Sequence, residues 1–147
     1  MAKGSRIVGA HSLQRALLEL GRASSLNAPV GRASRFALQP VLKAAKANTP
    51  HDKVKKALVI KKDATAPKNV PTHAVGGDPK NPDYRLLHLL EFDTRPHRVN
   101  HPGTTAQPFL TPAFEAHADE VLKRFGEKIG PEIEKQAERI GRKHRRK

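Results

Sequence analysis

The chain has 147 residues, about the length of one domain, with 28 Lys and Arg residues against 14 Asp and Glu residues and a formal net charge of +14. It contains no cysteine, which excludes disulfides, thiolate zinc sites and thiol nucleophiles. No apolar run reaches the roughly 18 residues that span a bilayer, and the N-terminus lacks the apolar region of a signal peptide. We therefore expect one lean domain that attracts polyanions.

The first third of the chain predicts two helical stretches. Residues 12–20 have leucines at helical spacing, with Ser12 as a plausible N-cap. The Ser, Asn, Pro and Gly content of residues 22–31 predicts a loop. Residues 32–47 predict a second helical stretch, which is either one bent helix or two short ones because Pro40 lies inside it.

The middle of the chain predicts a β-hairpin followed by a helix. Residues 54–62 are rich in β-branched residues flanked by lysines and predict a strand. Residues 70–77 predict its antiparallel partner. A helix is expected over 83–92, with Asp83 as N-cap. The Pro and Gly content of residues 93–108 predicts a long loop.

The last part of the chain gives the strongest helix signal. Residues 111–126 keep apolar residues at helical spacing, with Thr111 as expected N-cap and Pro112 at the first helical position. We expect Gly130 and Pro131 to interrupt this helix and a polar, charged helix to follow them.

Two histidine arrangements have the residue types of a catalytic or metal site. His97 and His101, with Asp93 or Glu91 as oxygen donors, lie four residues apart, but flanking prolines make a helix there improbable. His88 and Glu91 can touch on one helix, but no nucleophile or substrate pocket accompanies them. We expect no enzyme activity, no cofactor and no metal.

Four segments together resemble a known family. "VLKAAKANTP" (residues 41–50) is followed by the basic strand "KKALVIKK", then by "LLEFDT" (89–94) and "PFLTPAFE" (108–115). This order, over about residues 35–126, resembles the neck or tail-completion (head-to-tail joining) proteins of tailed double-stranded DNA bacteriophages. Asp93 stands where that family usually has Gly, and "HDKVKKAL" replaces its Thr-Gly turn.

The resemblance implies an α+β fold: a small antiparallel sheet with helices packed on it, and a long C-terminal helix. It implies a joining domain over residues 1–126 and a charged helix with a basic tail over 127–147. It implies a non-catalytic homo-oligomeric ring, of six subunits, in the neck or tail of the virion and in the host cytoplasm during assembly. The expected neighbours are a head connector or head-closure protein, a tail tube or tail terminator protein, and the double-stranded DNA that passes through the lumen.

The resemblance also assigns roles to residues. The helix-to-loop joint and the start and anchor of the last helix are assigned to Glu91, Phe92, Thr94, Pro108, Phe109, Leu110, Pro112 and Phe114. The basic tail fits a segment that faces DNA, through Arg142, Lys143, Arg145, Arg146 and Lys147. The alternative that remains open is a small basic protein that binds DNA without sequence specificity.

Overall fold

The computed structural model describes residues 10–67, 71–94, 102–103 and 105–145, which form an α+β fold as the sequence predicted. The elements in chain order are α1 (Ala10–Leu20), α2 (Ala23–Ala37), α3 (Gln39–Asn48), α4 (Asp52–Ala57), β1 (Leu58–Lys62), β2 (His73–Gly77), α5 (Tyr84–Glu91) and α6 (Leu110–Arg145). The two strands pair antiparallel, with Leu58 opposite Gly77 and Lys62 opposite His73, so the expected hairpin is confirmed.

The longest element is α6, whose 36 residues extend about 54 Å. The N-terminal helices α1, α2 and α3 all pack along it. The expected interruption at Gly130 and Pro131 is wrong, since α6 runs through both residues. Pro131 is exposed, so the Glu127 carbonyl that it leaves without a helical partner lies on the solvent side. The boundary drawn at residue 126 falls inside α6.

The N-terminal helices differ from the sequence expectation at two points. The stretch 22–31 is not a loop but the greater part of α2, because Pro29, Ala33 and Ala37 are buried at a spacing of four residues. The helical stretch around Pro40 is two helices, and Pro40 lies in the first turn of the second, where its missing N–H has no cost. Ser12 lies within α1 and is not its N-cap.

The predicted first strand is half helix. Val54, Ala57 and Leu58 are buried at the i, i+3, i+4 spacing of a helix face, so the chain is helical up to Ala57 and extended only from Leu58. Asp83 precedes α5 as expected, but its side chain makes no capping hydrogen bond.

The core is small and lies where α3, α4, β1, α5 and the start of α6 meet. Its buried members are Val41, Ala45, Val54, Ala57, Leu58, Leu87, Phe109 and Ala113. Phe109 is the largest of them. Among the described helices, none is long and apolar enough to cross a membrane.

Candidate functional site

The carboxylate of Glu91, at the end of α5, caps the first turn of α6. Its Oε2 accepts hydrogen bonds from the backbone N–H groups of Phe109 and Leu110, both at 2.9 Å. Its Oε1 accepts from the backbone N–H of Thr111 at 2.9 Å and from the Thr111 hydroxyl at 2.6 Å. The fourth N–H that a helix start normally leaves unpaired does not exist here, because the next residue is Pro112.

This cap satisfies the N-terminus of α6 completely and carries charge of the favourable sign. A carboxylate next to the positive end of a helix dipole is stabilised. Thr111 therefore contributes to the cap as a donor rather than as the expected N-cap residue, since α6 begins one residue earlier, at Leu110.

The segment "AKANTP" also contacts the start of α6. Asn48, in "AKANTP", donates a hydrogen bond from Nδ2 to the carbonyl of Phe109 at 3.3 Å. Close by, the backbone N–H of Gln107 donates to the carbonyl of Leu90 at 2.7 Å. Three of the four segments that carry the family resemblance thus converge on the start of α6, an arrangement we call the motif joint (Asn48, Glu91, Phe109, Leu110 and Thr111).

The hydrogen bonds of the motif joint stabilise the ionised form of the Glu91 carboxyl. Burial, which leaves the residue 7% exposed, raises the pKa of the Glu91 carboxyl. The hydrogen bonds from Thr111, Leu110 and Phe109 lower it by more, so the net pKa lies below the ordinary value of 4.5. Glu91 is therefore a structural carboxylate whose oxygens are already occupied by donors, and it does not form an acid–base pair with His88.

The residues assigned to the start of the last helix divide into two groups. Phe109 is 1% exposed and anchors the core, and Leu110 packs against it. Phe114 is 52% exposed, so it does not share the buried position of Phe109. It lines an apolar groove of about 440 Å³ with Leu110 and residues of α3 and β2. Pro108 and Pro112 lie on the surface on either side of Phe109.

The residues that follow α5 form an exposed aromatic corner. Phe92 is 56% exposed, and the His88 ring lies 5.0 Å from it, centroid to centroid. Thr94 is half-buried. His97 and His101 lie outside the described residues. Within the described ranges, no group of three or more His, Asp and Glu side chains could hold a metal ion.

The basic C-terminal end of α6 is anchored to α1 by ion pairs. Glu19 of α1 accepts from Lys143 Nζ at 2.8 Å and lies 2.7 Å from His144 Nε2. Arg142 pairs with Glu138 at 3.1 Å, and Arg145 is exposed. Two of the cations expected to face DNA are thus paired with carboxylates. Arg146 and Lys147 lie outside the described residues.

Large apolar side chains are exposed on several helices. The most exposed are Leu13, Leu17, Leu18, Phe114 and Leu122, each more than half accessible. Leu13 and Leu17 lie one turn apart on α1, on the apolar face that the leucine spacing predicted. Contiguous exposed apolar patches are a common feature of protein–protein contact surfaces.

In comparisons with family models, with curated proteins and with solved structures, nothing matches this chain.

Proposed function

We propose that this chain is a structural protein of the head-to-tail junction of a tailed double-stranded DNA bacteriophage. The observation that supports it best is the motif joint. The segments "AKANTP", "LLEFDT" and "PFLTPAFE", on which the resemblance depends, are far apart in the sequence but bonded to each other through Asn48, Glu91 and Phe109. Because these contacts join the segments into one structural unit, they support a shared fold more strongly than motifs scattered over the surface would.

The exposed apolar side chains of α1, α5 and α6 support a role in assembly. The core is lean, and much large apolar surface is left outside it. A homo-oligomeric ring, of six subunits as the resemblance implies, would bury part of that surface between subunits and against the head connector or head-closure protein on one side and the tail tube or terminator protein on the other. The chain would reside in the virion neck or tail after assembly in the host cytoplasm.

Deletion of the gene from its parent phage, with electron microscopy of the lysate, tests this role. We expect DNA-filled heads beside unattached tails, or tails of abnormal length, and rescue by the gene supplied in trans. Intact and infectious virions from the deletion phage would reject the junction role.

The second candidate is a small basic protein that binds DNA without sequence specificity, and the net charge of +14 favours it. It requires tight, strongly salt-dependent duplex binding by the free monomer or dimer. Duplex binding together with normal virions in the deletion phage would select this candidate.

A further inference from the structure

The positive charge of the described chain is concentrated in one segment. Residues 39–62, which form α3, α4 and β1, contain seven lysines and one acid, Asp52. By contrast, α6 contains eight Lys and Arg residues against seven Asp and Glu residues. The long helix is therefore nearly neutral in total, although its C-terminal end is rich in Lys and Arg.

The cations of the two regions also differ in their partners. Along α6, Arg124 pairs with Glu120, Arg142 with Glu138 and Lys143 with Glu19. In residues 39–62, the one carboxylate pairs with Lys55. Within the described ranges, five exposed lysines of this segment have no carboxylate within salt-bridge distance. Lys61 donates to the Gly77 carbonyl at 2.8 Å, and the other four form what we call the lysine surface: Lys43, Lys53, Lys56 and Lys62.

The four lysines of the lysine surface lie on three consecutive elements that share one core cluster. The buried residues of α3, α4 and β1 all turn toward the same core cluster, so the lysines of these consecutive elements lie on the outward side. Lys43 and Lys46 also line an open groove of about 740 Å³ between α3 and α6. The one carboxylate in that groove, Glu120, is bonded to Arg124. The positive potential reaches β2, where burial and then Arg35 and Lys62 lower the pKa of His73.

We infer that the lysine surface, rather than the C-terminal tail, is the face that contacts the phosphates of double-stranded DNA. This inference rests on the proposed function and names the face that a junction ring would turn toward the passing duplex. Unpaired lysines on a flexible stem attract phosphates as point charges without reading bases, which suits DNA of any sequence. The exposed acids of α6, among them Asp119, Glu127 and Glu134, would repel the same duplex.

Two full-length variants with the same loss of formal charge test the inference. One carries Lys43→Gln, Lys53→Gln, Lys56→Gln and Lys62→Gln. The other carries Arg142→Gln, Arg145→Gln, Arg146→Gln and Lys147→Gln and leaves Lys143 with Glu19. Binding to a fluorescent duplex of random sequence is measured by anisotropy between about 50 and 200 mM salt, a range over which phosphate contacts dominate the affinity. Thermal unfolding of both variants verifies that they are folded.

We expect the lysine-surface variant to lose about tenfold or more in affinity, and the slope of log K against log salt to become shallower by about 0.9 for each phosphate contact removed. The tail variant should keep the wild-type slope.

An equal or larger loss in the tail variant, or no duplex binding by the wild-type chain, overturns the inference. Unchanged duplex binding by the lysine-surface variant also overturns it. If that variant is defective only in head or tail attachment, the lysine surface binds an acidic protein instead. Duplex binding through the lysine surface by a chain whose deletion leaves infectious virions would keep this inference and reject the junction role.

Discussion

At the scale of single residues, Glu91 joins the end of α5 to the start of α6. Its carboxylate accepts three backbone N–H bonds and one hydroxyl bond at the start of α6. We expect Glu91→Ala to lower the free energy of unfolding by about 3 kcal/mol, because buried donors lose their charged acceptor. Urea unfolding measures the change. Asp93→Ala, at an exposed neighbour, should change it by about 0.5 kcal/mol or less, and equal effects of the two substitutions would contradict the capping role.

The same carboxylate predicts a specific acid dependence. Because the pKa of Glu91 is lowered in the folded chain, its contribution to stability is complete above the unfolded-state pKa and is lost as the pH falls through the folded-state pKa. Wild-type stability should therefore decline from about pH 4.5 downward, with part of the decline due to Glu19 and Glu132, whose pKa values are also lowered. In Glu91→Gln the decline should be less steep, and unfolding curves from pH 3 to pH 7 compare the two. If the free energy of unfolding of the two proteins falls in parallel with pH, the ionisation of Glu91 does not contribute to stability.

At the scale of elements, the continuity of α6 through Pro131 makes a clear prediction. Pro131 is exposed and its ring is not part of the core, so Pro131→Ala restores a helical hydrogen bond to the Glu127 carbonyl without loss of packing. We expect the free energy of unfolding, measured by thermal or urea unfolding, to rise by about 1–3 kcal/mol. Pro112→Ala, in the first turn of the same helix, should give no comparable gain. A neutral or destabilising Pro131→Ala would indicate that α6 is broken there.

The part of α6 beyond residue 126 belongs to the folded body. Ile140 is 4% exposed, and Arg32 of α2 bonds the buried carboxylate of Glu132. We expect Ile140→Ala to cost about 2–4 kcal/mol. Leu122→Ala, at a residue that is 71% exposed on the same helix, should cost far less. Similar unfolding curves for Ile140→Ala and the wild type would mean that this half of α6 does not pack on the N-terminal helices.

The sequence predicted the element types well where one signal dominated, and failed where packing overrode a local signal. The pairing of two strands was predictable from β-branched residues, and the presence of the last helix from its apolar spacing, although the helix begins at Leu110 and Thr111 is not its N-cap. The loop expected at 22–31 is a helix because Pro29 is buried against neighbouring elements, and that tertiary packing outweighs its breaking tendency. The cap by Glu91 could not be derived from spacing, because its donors lie 18 to 20 residues further along the chain. The ion pairs of Glu19 with Lys143 and His144 are more distant still.

At the scale of the whole molecule, the lysine surface and the apolar face of α1 lie on different elements. The lysine surface lies on α3, α4 and β1, whereas the most exposed leucines of the N-terminal half lie on α1. A subunit of a ring around DNA needs one face for phosphates and other faces for protein. The separation of the two kinds of surface is consistent with that requirement, and it allows the two roles to be tested by independent substitutions.

The apolar face of α1 gives the last prediction. Leu13 and Leu17 are 62% and 59% exposed, so changing both to Gln should leave the free energy of unfolding within about 0.5 kcal/mol of the wild type. If this face packs against a neighbouring subunit, the double variant loses the apolar area that would be buried there, and it should fail to restore infectious particles to the deletion phage. Gln14→Ala, at an exposed polar position of the same helix, should complement normally. Full complementation by the leucine variant would place the subunit contacts elsewhere, on the exposed residues of α5 or α6.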